Sequence, residues 1–184
     1  MIADMDKRIR RHLGQIRQAF RGIGTRVNSA PAIQLIQGDA MAGEQLQAAE
    51  YMQHYGLSSN PPAGFMYVAI PIGGKTAHSI IVATEHGTYR LKNLSAGETA
   101  LYDDQGQKIH ITRAGIVIDG AGKPITIANT PKVRAETALL EVTGEIKDNC
   151  DTTGKTMSGM RTIYNAHTHN DPQGGAVAAP NQAM

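Results

Sequence analysis

The sequence predicts a mostly β chain: a small barrel or sandwich, then a slender β ribbon, with one short helix in front. Three observations predict it. Short β-rich segments recur between glycine turns through the first half. The second half alternates apolar and polar residues in brief runs. Aromatics are scarce in the 184 residues, with no Trp, two Phe and six Tyr, and from Asp103 onward the sole aromatic is Tyr164. A chain so poor in large apolar groups cannot build an ordinary core in its second half. That half must be thin or must bury itself against other copies.

The N-terminus reads as a helix over residues 4–20. Ile9, Leu13, Ile16 and Phe20 recur at spacings of four, three and four, which aligns one apolar stripe. Gly22 and Gly24 are expected to end it. Residues 1–26 hold seven Lys/Arg against Asp4 and Asp6, a net +5. The whole chain is +2, so the rest is −3. A basic helix with a narrow stripe suits docking on an acidic partner better than lying on a membrane. No secretion signal and no membrane-length apolar run is read from the sequence. Cys150 is alone, so no intrachain disulfide is expected, in keeping with folding in a reducing compartment.

Residues 27–105 read as the barrel. Ala32–Gln37, Met66–Ile72, Ser79–Ala83 and Thr88–Leu91 are the expected strands. Gly73-Gly74, Glu85-His86-Gly87 and Ser95-Ala96-Gly97 separate them. Gln45–Tyr55 reads as a short helix or an irregular insertion. Residues 106–165 read as the ribbon. Ile109 and Ile111, Ile116 and Ile118, and Ile125 and Ile127 mark single faces of successive strands, and Val133–Gly144 extends the tract. Met157, Met160, Ile163 and Tyr164 follow. No strand of this kind makes a core alone, so stacking or intertwining is required.

Residues 166–184 hold the sharpest chemical signal, His167-Thr168-His169. In an extended strand, i and i+2 point to one side, so both imidazoles aim at one place. Two ligands do not close a metal site. Three copies about an axis would bring six imidazoles, an octahedral set suited to iron or nickel. Two other readings stand beside this one. The pair can be plain surface histidines. With Asp171 it also meets the His-x-His-x-Asp spacing of metallo-β-lactamase-like enzymes, but Pro172 stands where those enzymes need a further His. Six protein ligands leave no open position for a substrate, so the shared site would be catalytically inert.

Other motifs are weaker. Gly73-Gly74-Lys75-Thr76 lacks the leading glycine of a phosphate loop and reads as a turn. No Gly-x-Ser-x-Gly elbow is present. Cys150 lies among Asp148, Asn149 and Asp151, which disfavour a thiolate. His54, His78, His86 and His110 are dispersed.

Tyr51-Met-Gln-His-Tyr-Gly-Leu-Ser-Ser-Asn-Pro-Pro-Ala-Gly64 resembles the signature of the Mu-like phage baseplate central spike family. Gly73-Gly74, Arg90, Leu94, Gly97-Glu98, Leu101-Tyr102-Asp103 and His167-Thr168-His169 continue the likeness, which spans about residues 40–170. The resemblance implies an OB-type barrel, then an intertwined trimeric triangular β-helix, then a metal-bound tip. It implies a homotrimeric, non-enzymatic spike at the tip of a contractile tail. Such a spike contacts baseplate hub and tail tube proteins and pierces the host outer membrane. It would be assembled in the host cytoplasm and end in the virion. His167 and His169 of three chains would hold one iron ion, with Asp171 as a candidate calcium ligand. A competing reading is a nucleic-acid-binding OB module with a trimerising tail. The barrel region offers few cations to support it (Lys75, Arg90, Lys92) and no evident stacking platform.

Overall fold

In the computed structural model, residues 2–169, 172–175, 178–180, 182 and 184 are described. They fall into two units, Met1–Thr126 and Ile127–Met184.

The first unit opens with helix α1, Ile2–Gln15. It is shorter than the helix expected over 4–20. Phe20 belongs instead to strand β1, Phe20–Asn28, and its side chain is buried in the core. Gly22 and Gly24 therefore do not stop a helix. They clear space inside the barrel. A Cβ on Gly24 would sit 1.9 Å from the Phe65 ring, and one on Gly22 would sit 2.2 Å from the Tyr67 hydroxyl. Gly38 faces Tyr67 in the same way, at 2.7 Å. Three glycines thus seat two aromatic rings against bare backbone.

The barrel continues with β2 (Gln34–Asp39), β3 (Gln45–Tyr51), β4 (Met66–Pro71) and β5 (Ser79–Glu85). The order β1-β2-β3-β5-β4 closes on itself through β1 and β4. All pairs are antiparallel except β3 with β5, where Glu50 faces Ile80 and Tyr51 faces Ile81. The register slips between Gly24 and Arg26 and between Ile36 and Gly38. Bulges of this kind bend strands enough to close a small barrel. Gln45–Tyr51 is a strand, against the expected helix or insertion. Ala48 sits there at φ 54, and that kink breaks the alternation that would have marked the strand. Thr88–Leu91 forms no strand; it is a turn in which the backbone N–H of Tyr89 and Arg90 donates to the His86 carbonyl.

The core is Phe20, Ile36, Leu46, Ala49, Tyr51, Phe65, Tyr67, Ala69 and Ile81. Polar ends of its tyrosines are paired. The Tyr67 hydroxyl donates to the Asp39 carbonyl at 3.1 Å, and Tyr51 and Thr84 hydroxyls meet at 2.6 Å. Burial, and secondarily the nearby Asp39 charge, push the Tyr67 phenol above its ordinary value.

Arg17 ties α1 to one end of the barrel. Its backbone N–H donates to the Gly74 carbonyl at 3.2 Å, its guanidinium pairs with Glu44 at 2.6 Å, and it lies 4.6 Å over the Phe20 ring. The helix beyond this anchor exposes Met5 and Ile9, and Ile16, just past its end, is exposed as well.

After the barrel comes a three-stranded antiparallel sheet: β6 (Thr99–Tyr102), β7 (Lys108–Ile111) and β8 (Ile116–Asp119). Leu101, Ile109 and Ile118 lie opposite one another, as do Thr99, Ile111 and Ile116. Opposed residues share a face, so the expected single-faced isoleucines form one ladder, and that ladder is exposed. The turns are pinned by carboxylates. Asp103 accepts from the Gln107 side chain and from the backbone N–H of Gln105 and Gln107. Asp119 accepts from Lys108 at 2.8 Å and from the Ala121 N–H. Glu98 accepts from the N–H groups of Ser95 and Arg113 and lies 3.4 Å from His110 Nε2.

In the second unit, the expected strands over 123–129 and 133–144 pair with nothing among the described residues of this chain. One isolated bridge joins Lys147 and Thr156. Met157–Ala166 is helix α2 rather than ribbon. Thr156 caps it by accepting from the Gly159 N–H at 3.1 Å, and Glu145 accepts from the Ser158 hydroxyl. No helix among the described residues is long and apolar enough to cross a membrane.

Two predictions follow from these contacts. Gly24→Ala should destabilise the barrel by about 2–3 kcal/mol through overpacking against Phe65. Gly14→Ala, with nothing within 4 Å, should leave the barrel transition in place. Urea unfolding followed by tyrosine emission decides it, and equal midpoints for both variants would show the glycine spacing to be incidental.

The second concerns pH. Backbone donors from Ser95 and then Arg113 hold Glu98 below its ordinary 4.5. The Lys108 hydrogen bond, with the Ala121 N–H, does the same for Asp119 against 3.8. For Asp103, desolvation pushes upward, but the Gln107 and Gln105 hydrogen bonds outweigh it, and the carboxyl ends below 3.8. A carboxylate depressed on folding adds stability that is full above its unfolded value and is lost as pH falls through the folded one. Stability should hold from pH 7 to about 4.5 and drop below about 4. Asp103→Asn with Asp119→Asn should flatten that drop; an unchanged slope in the double variant counts against the assignment.

Candidate functional site: the paired histidines

His167 directly follows α2. It is the C-cap residue, with extended backbone at φ −71 and ψ 145. The extended backbone the pair was expected to need is therefore local, supplied where α2 ends and not by a long strand. The two imidazoles come together, with ring centroids 4.9 Å apart and planes at 87°. Two imidazoles on adjacent positions of one octahedral ion would have centroids roughly 4.6 Å apart, given metal–nitrogen distances of about 2.1 Å. The pair meets edge to face, as aromatic rings ordinarily do, and imidazole is a donor type that a transition ion takes.

A residue not foreseen from the sequence helps to aim it. His167 Nδ1 is hydrogen-bonded to the Tyr164 carbonyl. A carbonyl only accepts, so Nδ1 is the donor in this contact, and in the neutral ring Nε2 would be the nitrogen free to bind a metal. A backbone acceptor on the far nitrogen is the usual way of orienting a ligating histidine. The Tyr164 ring lies 5.2 Å from the His167 ring. The α2 face beside it is apolar: Met160, Ile163, Tyr164 and His167 line a shallow cavity of about 510 Å³ with Lys155 and Met184. Asn165 holds Met184 there, accepting from its N–H at 2.9 Å and donating to its carbonyl at 3.3 Å.

Among the described residues no group of three or more His, Cys, Asp or Glu is placed to hold an ion. Asp171 and Asn170 lie outside the described residues. His86 stacks on Tyr89 with centroids 4.5 Å apart, and His110 faces Glu98. Cys150 is exposed; its carbonyl accepts from Lys147.

Residues 21–88, which are the barrel from β1 to just past β5, match the family model described as "Bacteriophage Mu Gp45, N-terminal". Two curated proteins extend the likeness beyond it. The "Mu-like prophage FluMu protein gp45" of Haemophilus influenzae is 27% identical over 161 residues, covering 88% of this chain and 82% of that protein. The "Baseplate puncturing device gp45" of Escherichia phage Mu is 24% identical over 127 residues, covering 69% of this chain and 64% of that protein. The barrel matches the Mu gp45 model and both relatives are gp45 proteins, which supports reading the chain as similar to the Mu-like phage baseplate spike proteins. The family model covers the barrel and stops well before the histidines, so the pair stands on its own geometry.

Proposed function

We propose that this chain is the central, non-catalytic spike of a contractile tail, a homotrimer that opens the host outer membrane when the sheath drives it forward. The name of the Mu relative, a puncturing device, supports the mechanical role. The barrel is read as OB-type, which its strand order β1-β2-β3-β5-β4 supports, and it serves as the base.

One observation carries the trimer. Every buried hydrophobic residue among those described lies between Phe20 and Ile81. Downstream, Leu101, Ile109, Ile111, Ile116 and Ile118 form an exposed ladder, and Ile125, Ile127, Val133, Leu140 and Val142 are exposed as well. Each such side chain gains roughly 1.5–3 kcal/mol on full burial. The lone chain leaves that energy unrealised and leaves the strand-forming segments of 123–144 without partners. Three copies wrapped as a triangular β-helix would supply both. His167 and His169 from the three chains would hold one iron ion on the axis. That ion would cross-link chain ends that otherwise fray, and binding only the assembled form would stabilise it by mass action.

α1 is read as the docking element toward an acidic face of the baseplate hub. Lys7, Arg8, Arg10 and Arg11 lie along it, exposed, and Arg17 fixes its base.

Sedimentation equilibrium with metal analysis tests the main reading. The expected result is three chains and one transition ion per particle. His167→Ala with His169→Ala should remove the ion and leave the barrel folded. A stable folded monomer at micromolar concentration would falsify the trimer, and three ions per trimer would exclude an axial site. Deleting residues 2–15, which spares Arg17 and Phe20, should leave the particle mass per chain count unchanged and abolish incorporation into tails. Normal tail incorporation of the deletion variant would end the docking reading of α1.

A further inference from the structure

We propose that the turn carrying Tyr55 and Leu57 is a knob by which one copy of this chain grips the next at the level of the barrel. The inference rests on the trimer reading above and adds a contact that reading does not require.

The β3–β4 loop is held rigidly from within. Gln53 Oε1 accepts from the Ser59 N–H at 2.7 Å and from its hydroxyl at 2.9 Å, while Gln53 Nε2 donates to the Ser59 carbonyl at 3.2 Å. Gln34 reaches Ser58 at 3.2 Å, and the Leu57 N–H closes the turn on the His54 carbonyl at 3.0 Å. Gly56, at φ +87, supplies the left-handed residue that this turn needs. All this order serves to present Tyr55 at 107% relative exposure, beside Leu57 at 55%. A tyrosine on a pre-ordered support loses little entropy on contact, and tyrosines in such settings are common interface anchors.

The surroundings suit a protein partner without charge. From Tyr51 to Gly74 there is no Asp, Glu, Lys or Arg, and interface centres are depleted of charge and rich in Tyr and Met. Beside the knob lies a groove of about 650 Å³, also free of Asp, Glu, Lys and Arg, lined by Met52, Leu57, Val82, Ala83, Leu101 and Tyr102. Leu101 is also the first rung of the exposed ladder with Ile109 and Ile118. The groove is thus continuous with the face that the trimer covers, which points to a second copy as its occupant. A threefold ring is joined by heterologous contacts, so a knob and a groove on one chain are what closure requires.

The test places the photo-crosslinker p-benzoylphenylalanine at position 55 of the full chain. Irradiation of the purified protein should give covalent pairs of chains, with the adduct mapping to peptides containing residues 79–85 or 99–102. Tyr55→Ala should lower the melting temperature of the assembled particle, and Tyr55→Phe should restore it; the barrel does not bury Tyr55, so neither change should unfold it. A trimer that yields no interchain adduct overturns this inference and leaves the trimer reading intact. A monomer overturns that reading and this one with it. Adducts formed in assembled tails with a different protein, and none between copies, also overturn it.

Discussion

Among the described residues, the buried hydrophobic core ends at Ile81. Up to that point the barrel satisfies itself: aromatic rings lie against glycine backbone, tyrosine hydroxyls find partners, and the strands close without an edge. Beyond it, the large apolar side chains of the described residues are mostly exposed. The β6–β8 ladder, the unpaired segments that follow and the apolar face of α2 share this one constraint. In the proposed trimer, their contacts would come from other copies of the chain.

The division explains which parts of the sequence were legible. β4 and β5 declare themselves by apolar runs between glycine and proline turns, and β7 and β8 by paired isoleucines; these depend on local pattern alone. β1 was missed because Phe20 completes a helical spacing with Ile16 and because Gly22 and Gly24 look like stop signals. Only the positions of Phe65 and Tyr67, distant in sequence, reveal that those glycines are spaces for rings. β3 was obscured by helix-favouring Gln, Ala and Glu and by the φ of 54 at Ala48, which shifts the inward residues from Leu46 to Ala49 and Tyr51.

The second unit teaches the opposite lesson. α2 was readable: Thr156 is a capping residue, and Met157, Met160 and Tyr164 are spaced as on one helical face. The expectation of continuous ribbon overrode that signal. For 123–144 the alternation is present and the strands are not, because a strand exists only with a neighbour to pair with, and none of the described residues of this chain provides one. The histidine pair was found from spacing, yet the group that aims it, the Tyr164 carbonyl, is backbone and leaves no mark in the sequence.

Two kinds of order therefore meet in one polypeptide, and their energetics differ. The barrel is built from contacts among about sixty neighbouring residues, so its formation depends on this chain alone. In the proposed trimer, burial of the ladder would need other chains, so it would depend on concentration, and its loss of chain entropy would be met at the moment of assembly. A rigid, pre-ordered loop beside the ladder lowers that cost, because part of the interface is already fixed before copies meet. The carboxylate-pinned turns at 95–98, 103–107 and 119–121 act in the same direction: they hold the three strands in register, so that the apolar residues face one way before anything covers them. A ladder whose geometry is set by hydrogen bonds within the chain keeps its register whether or not its apolar face is covered.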